Sequence, residues 1–163
     1  YPEKKLILSE SCLEFGKYDK KLESENAARL AHDMIGNLNH GMQAFYDWNL
    51  LLDQDGGPNH QNNYCDAPWM YHEKEGRLEE RKILRYYWHF AHFIKPGAVR
   101  IAHSKYTDRL DVTAWRNPEG EIVCVCMNRS DKRLPAVIRM EGLLCRIELE
   151  ANSIASCVIR PAD

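Results

Sequence analysis

The sequence has no run of about 18 consecutive apolar residues, the length that a membrane-spanning helix requires. It also lacks the basic excess of nucleic-acid-binding domains, because 22 Lys and Arg stand against 24 Asp and Glu. We therefore expect no nucleic-acid partner. At 163 residues the chain is shorter than a complete eight-fold β/α barrel, which takes about 250 residues. Tyr1 is not an initiator Met and no signal peptide follows it, so we expect a longer parent protein.

The six cysteines lack the spacing of a metal site or of a small disulfide scaffold. No C-x-x-C pair is present, and Cys124 and Cys126 lie two apart in an apolar run. We expect reduced cysteines that pack as small apolar side chains, and neither a metal nor a cofactor. Without a native amino terminus the compartment stays unknown, and free cysteines favour the cytoplasm.

The first half of the chain alternates between strand and helix patterns. Residues 4–9 form a short apolar run, typical of a strand buried on both faces of a parallel sheet. A helix is predicted to begin at Ser24, as its N-cap, and to stop at Gly41. Its apolar face consists of Ala27, Ala31, Met34, Ile35 and Leu38.

The strand and helix patterns then repeat. A β-rich segment at 44–50 is followed by a polar, Gly-rich loop at 53–63. The second helix carries Glu79 and Glu80 near its start and ends at 95–97. Its apolar positions are Ile83, Tyr87, Phe90, Ala91 and Ile94. This order predicts two consecutive β/α units.

After Gly97 the hydrophobic period changes to about two residues, which is typical of strands. Short β-branched segments lie near 98–104, 110–116, 122–128, 136–140, 143–149 and 154–159. Short strands with tight connections predict an antiparallel β-sandwich. We place the boundary near residue 96, so that 1–96 forms the β/α units and 97–163 the sandwich.

Candidate chemistry lies at the ends of the two predicted strands. Glu10 ends the first strand, at the edge where β/α architectures form active sites, and its carboxylate could attack the anomeric carbon of a sugar. A solvated or ion-paired glutamate would look the same. Trp48 offers an apolar face for a pyranose, beside Asp47, although core packing would also explain an indole there. Asn59 and Asn63 supply loop amides suited to sugar hydroxyls, or to plain turns.

Taken together, these residues resemble the glucosylceramidase group of glycoside hydrolase family 30. The order and spacing of the matching blocks are kept across roughly residues 3–160. The blocks are Leu8–Cys12, Asp33–His40, Tyr46–Asp53, Gly56–Asn59, Asp66–Pro68, His89–Gly97 and Met127–Ser130. The combination of Asp-Trp-Asn-Leu with Gly-Gly-Pro-Asn is more specific than either motif alone.

The resemblance implies a retaining β-glycosidase of carbohydrate and sphingolipid metabolism, in which a β/α barrel packs against a β-sandwich. The chain is similar to the last two barrel units and most of the sandwich. By this likeness Glu10 matches the nucleophile, Trp48 lines the glucose subsite and Asn63 lies near the substrate. Asp47 matches an acid beside the same pocket.

Two departures from the family pattern bear on function. Relatives often carry Trp after Gly-Gly-Pro-Asn and Arg two positions later, where this chain has His60 and Asn62. We expect His60 and Asn59 on the rim of the substrate site, with the aglycone left open. The family's acid/base glutamate follows an Asn, and no Asn-Glu pair occurs here. The partner carboxylate is therefore expected upstream, and the chain alone should be inactive.

Two further expectations follow. Two β/α units alone would leave strand edges and an apolar face uncovered, so self-association of the chain is expected. The partners we expect are a β-glycoside substrate and the missing amino-terminal barrel portion. A non-catalytic sandwich that binds carbohydrate or supports a barrel is the alternative function.

Overall fold

The computed structural model describes residues 3–16, 18–58 and 60–160. The chain divides into two compact units, one ending at Trp88 and the other beginning at His89. No helix in the described ranges is long and apolar enough to cross a membrane.

The first unit opens with a β/α/β arrangement. Strand β1 (Leu6–Leu8) pairs in parallel with β2 (Met42–Phe45), and helix α1 (Lys20–Asn39) connects them. Parallel neighbours need such a crossover, because a tight turn can join only antiparallel strands. The predicted first β/α unit is therefore confirmed.

Helix α1 begins earlier than the sequence pattern indicated. Asp19, and not Ser24, is the N-cap, since its carboxylate accepts from the backbone N–H groups of Lys21 and Leu22 at 2.9 and 3.4 Å. Ser24 lies inside the helix and donates its hydroxyl to the Lys20 carbonyl oxygen. The stop at Gly41 is confirmed: the helix ends at Asn39, and Gly41 has a φ of +97°. Ser and Asp are both good caps, so composition could not choose between them.

The buried face of α1 agrees with the predicted stripe. Ala27, Ala31, Met34 and Ile35 are buried, and Leu30 joins them. The strand β1 does not behave as predicted, because the side chains of Leu6 and Ile7 are each 58% exposed. Successive side chains of a strand point to opposite faces, so the exposure of both Leu6 and Ile7 shows that neither face of β1 is fully covered.

A small three-stranded sheet was not predicted. It has the order β3 (Leu51–Asp53), β4 (Trp69–His72) and β5 (Arg77–Glu80), with β3 parallel and β5 antiparallel to β4. Its inner face belongs to a core of Phe15, Leu52, Cys65, Ala67 and Met70. The sheet and this core fix the long loop between β3 and β4.

Helix α2 (Lys82–Ala91) is shorter than predicted. Glu79 and Glu80 lie in β5 and not in its first turn, and the helix ends before Ile94. Of the predicted apolar positions Ile83 and Phe90 are buried, Tyr87 and Ile94 are partly buried, and Ala91 is exposed, while Tyr86 is buried without having been predicted.

Over residues 89–160 the second unit forms six strands, which confirms the antiparallel sandwich pattern. They are β6 (Val99–Arg100), β7 (Leu110–Arg116), β8 (Ile122–Asn128), β9 (Leu134–Met140), β10 (Leu143–Leu149) and β11 (Ser153–Ile159). One sheet has the order β11-β8-β7-β6, and the other pairs β10 with β9. Every residue of β8 is buried, so its run of apolar residues reflects a central strand covered on both faces.

Candidate active site

Glu10 lies on an exposed segment just after β1, where two hydrogen bonds hold the chain beside the end of β2. The Tyr46 N–H donates to the Leu8 carbonyl oxygen at 3.0 Å, and the Trp48 N–H donates to the Ser11 carbonyl oxygen at 2.6 Å. Glu10 stands between these two acceptors, and its side chain is exposed. The carboxyl ends of β1 and β2 thus bring Glu10 and Trp48 to one edge of the parallel pair.

Trp48 presents its indole to solvent, with 57% of the residue exposed. An exposed ring at this edge is not part of a described core cluster. Its backbone is held twice, because its N–H donates to Ser11 and also approaches Asp47 Oδ1 at 3.0 Å.

Asp47 turns one carboxylate oxygen into the protein. Its Oδ2 is buried, and so is the hydroxyl of Tyr87 on α2; neither reaches ideal hydrogen-bond geometry with any described residue. The two groups nevertheless interact, and burial raises the pKa of Asp47 despite the opposing effect of the Tyr87 hydroxyl. Burial, and then the neighbouring Asp47 charge, also raise the pKa of Tyr87. Asp47 therefore links the end of β2 to Tyr87 of α2.

The loop between β3 and β4 carries the remaining predicted residues. His60 and Asn63 are exposed on it, while Asn59 lies outside the described residues. Asp53 organises the start of the loop, since its Oδ1 accepts from the backbone N–H groups of Asp55 and Gly57 at 2.9 and 2.8 Å.

The end of this loop lies beside the segment that follows Glu10. The Phe15 N–H donates to the Tyr64 carbonyl oxygen at 3.0 Å, and the Asp66 N–H donates to the Leu13 carbonyl oxygen at 2.7 Å. Glu14 and Cys65 form an antiparallel bridge between these bonds. The structure therefore places the segments of Glu10, Trp48 and Asn63 side by side.

Cys12 and Cys65 form a disulfide across this bridge, which corrects the prediction that all cysteines are free. They are 53 positions apart in sequence, and the fold brings their Cα atoms to 6.2 Å. Spacing alone gave no sign of this pairing. The other cysteines, Cys124, Cys126, Cys145 and Cys157, are free. The expectation of a cytoplasmic location assumed that all cysteines are free, and two of them are not.

A polar cleft of about 480 Å³ opens next to the disulfide. It is lined by Cys12, Glu14, Phe15, Arg29, Asn62, Asn63 and Tyr64. Of the predicted site residues within the described ranges, this cleft includes Asn63 and not Glu10 or Trp48.

A buried charged cluster holds the end of the loop between β3 and β4. It was not predicted from the sequence. Arg81, at the end of β5, is 1% exposed and pairs with Asp66 at 3.2 Å, Glu79 at 3.4 Å and Glu23 at 3.6 Å. Its guanidinium also lies over the Phe15 ring, 5.3 Å from the centroid. An arginine in a run of charged residues is normally expected on the surface. The burial of Arg81 is therefore evident only from the fold.

Comparison with known proteins gives two family matches. Residues 1–94 match the Glycosyl hydrolase family 30 TIM-barrel domain, and residues 97–157 match the Glycosyl hydrolase family 30 beta sandwich domain. These matches confirm the predicted fold class, a β/α-barrel portion followed by a β-sandwich.

Several individual proteins are similar to the chain. Putative glucosylceramidase 1 of Caenorhabditis elegans is 37% identical over 72% of this chain and 22% of its own length. Lysosomal acid glucosylceramidase of Mus musculus is 32% identical over 85% of this chain and 28% of its own length. The crystal structure of SrfJ from Salmonella typhimurium superposes with a TM-score of 0.94 at 32% identity, over 99% of this chain and 36% of SrfJ. The chain thus spans about a quarter of these curated relatives.

Proposed function

The chain belongs to glycosyl hydrolase family 30, and on that premise we propose that it is the carboxyl-terminal portion of a retaining β-glycosidase. The substrate class is β-glucosides or related glycosides, consistent with the glucosylceramidases among its relatives. The observation that carries the proposal is the common edge at which Glu10 and Trp48 lie, fixed by the Trp48–Ser11 hydrogen bond. The proposed boundary between the barrel portion and the sandwich remains residue 96.

In the proposed first step, the Glu10 carboxylate attacks the anomeric carbon and forms a covalent glycosyl ester. The bond to the aglycone oxygen breaks, and a second carboxylic acid protonates that oxygen as it leaves. In the second step the second carboxyl group, now a carboxylate, removes a proton from water. The water oxygen attacks the anomeric carbon, the ester bond to Glu10 breaks, and the sugar is released. Retaining enzymes hold the two carboxyl groups about 5–5.5 Å apart. We assign the second group to a residue outside this chain.

Trp48 and the loop would bind the sugar. The exposed indole offers an apolar face for the C–H groups of a pyranose ring, and the Asn63 amide can both donate to and accept from hydroxyls. Asp47, Asn59 and His60 complete the proposed substrate-binding set, and Asp47 also accepts from the Trp48 N–H. Since His60 and Asn62 replace the Trp and Arg of the family pattern, we propose an aglycone preference different from that of relatives with the full motif.

Chemical rescue in the full-length protein tests the proposed role of Glu10. We expect Glu10→Gly to lose at least 10³-fold in kcat, since the covalent route disappears. Azide should then restore turnover and give a glycosyl azide of inverted configuration. Glu3→Gly, at the opposite end of β1 and exposed, is the matched control and should retain activity. Full activity of Glu10→Gly, or an azide product of inverted configuration from a variant of a different carboxylate, would remove the assignment.

The isolated chain has its own expected behaviour. We propose that it is inactive, because acid–base assistance of about 10²–10⁴-fold is absent together with most of the pocket. We also propose that it self-associates through the exposed side chains of Leu6 and Ile7. Light scattering should give a mass above 19.0 kDa, and Leu6→Lys should lower it. A monomer at all concentrations would contradict the second proposal.

A further inference from the structure

Each half of the Cys12–Cys65 disulfide stands two residues after a proposed site residue. Cys12 follows Glu10, and Cys65 follows Asn63. The bond therefore crosses between the segment that carries the proposed nucleophile and the loop that carries a proposed substrate amide. Trp48, another residue of the proposed site, donates its N–H to Ser11 in the same segment as Glu10.

The segment from Leu8 to Phe15 is held on both of its sides. On one side it accepts from the N–H groups of Tyr46 and Trp48. On the other side its only backbone bonds to the loop, among described residues, are Phe15 to Tyr64 and Asp66 to Leu13. Backbone hydrogen bonds each stabilise a fold by only about 1 kcal/mol. Phe15 and Cys65 pack in one core below the bridge, whereas Glu10, Cys12 and residues 60–64 are exposed and depend on the disulfide for a further link.

We propose that Cys12–Cys65 is a positioning pair for the active site, which fixes the Glu10 segment against the Asn63 loop. The inference rests on the proposed function, because it assigns the pair a role in the same site. Displacing a reacting group by about 1 Å can cost 10²-fold in rate, so loss of this covalent link should affect the chemical step.

Solution reagents can reach the bond and can act on it selectively. Cys12 is exposed and lines the polar cleft of about 480 Å³. The other four cysteines are free thiols, so a disulfide reductant leaves them unchanged. Reduction by dithiothreitol can therefore be compared with removal of the sulfurs by mutation.

The kinetic test uses the full-length protein at a temperature well below its unfolding. We expect Cys12→Ser/Cys65→Ser to lower kcat by about tenfold or more, with a smaller change in KM because Trp48 keeps its bond to Ser11. Dithiothreitol should lower kcat of the wild type to the same value and leave the double variant unchanged. Cys145→Ser/Cys157→Ser, in the sandwich, is the matched control and should respond to the reductant as the wild type does. An unchanged kcat together with a lower Tm would overturn the proposal and leave only a structural link.

A second measurement does not depend on activity. Hydrogen exchange of peptides covering 9–15 and 61–66 should accelerate together in the double variant, because loss of the disulfide loosens both segments at once. Unchanged exchange in either segment would overturn the proposal. The rescue experiment with Glu10→Gly tests the proposed function separately, so failure of the nucleophile assignment and failure of the coupling are distinguishable.

Discussion

Arg81 and Asp66 form an ion pair at 3.2 Å in which each side chain is only 1% exposed. Removing one partner of a buried pair leaves an uncompensated charge, which costs about 3–5 kcal/mol. We expect Arg81→Met to lose that much stability in chemical denaturation, because Asp66 would lose its cation and Glu23 would keep only Lys20, at 3.0 Å. Arg85→Met is the control, since Arg85 pairs with Glu80 at 2.8 Å but is 77% exposed. Such a pair contributes about 0–1 kcal/mol, and equal losses would contradict a special role for Arg81.

Asp47 should make the stability of the first unit depend on pH. Burial raises its pKa, so the folded state favours the protonated carboxyl. The stability that the protonated Asp47 contributes to the folded state is fully present below the ordinary aspartate pKa of about 3.9. It is lost as the pH rises through the raised pKa of the folded state. The variant Asp47→Asn has no charge to bury, so it does not lose this stability as the pH rises. Its side-chain oxygen can still accept from the Trp48 N–H. The Tm of the variant relative to the wild type should therefore increase with pH, measured with Asp131→Asn as the charge-removal control. A difference that stays constant, or falls with pH, would be inconsistent with burial of this carboxyl.

Asn128 should carry no glycan although Asn128-Arg129-Ser130 matches the acceptor pattern. The residue is fully buried, and its amide donates to the carbonyl oxygens of Lys132 and Glu150 at 2.7 and 2.8 Å. Its Oδ1 accepts from the Ser130 hydroxyl at 2.8 Å. After secretion from a eukaryotic host, peptide mass spectrometry should show the peptide that contains Asn128 without a glycan. Asn128→Ala should destabilise the sandwich by about 2–3 kcal/mol, because buried acceptors lose their donor.

Gly56 is required by space as well as by backbone conformation. Its φ is +84°, and an added Cβ would lie 2.7 Å from the Cys65 carbonyl oxygen and 2.9 Å from Phe15 Cδ1. Gly76 has a φ of +58° and open space around it. Gly76→Ala should cost about 1–2 kcal/mol for conformation alone, and Gly56→Ala should cost clearly more. Similar losses in thermal unfolding would show that the loop relaxes around the new methyl group.

The parts of the fold that depend on local pattern could be predicted from the sequence. The stripe of Ala27, Ala31, Met34 and Ile35 marks the buried face of α1, and the period-two segments mark all six strands of the sandwich. Both follow from side-chain period, which is a local property. The hairpin of β4 and β5 was missed because Arg77–Glu80 carries charged residues that also suit a helix start.

The parts that depend on distant residues could not be predicted. Cys12 and Cys65 are 53 positions apart, and nothing in their spacing identifies them as a pair. Burial of Arg81 similarly depends on Asp66 and Glu23, which come from other elements. The edge that joins Glu10 to Trp48 was accessible from sequence, since the ends of consecutive parallel strands meet on one side of a sheet.

Covalent trapping tests the central claim most directly. A 2-deoxy-2-fluoro β-glucoside with a good leaving group slows the second step of a retaining glycosidase, so the glycosyl ester accumulates. Peptide mapping of the full-length protein by mass spectrometry should place the added fluorosugar on Glu10. Label on any other residue, or steady turnover of a substrate with inversion at the anomeric carbon, would contradict the account.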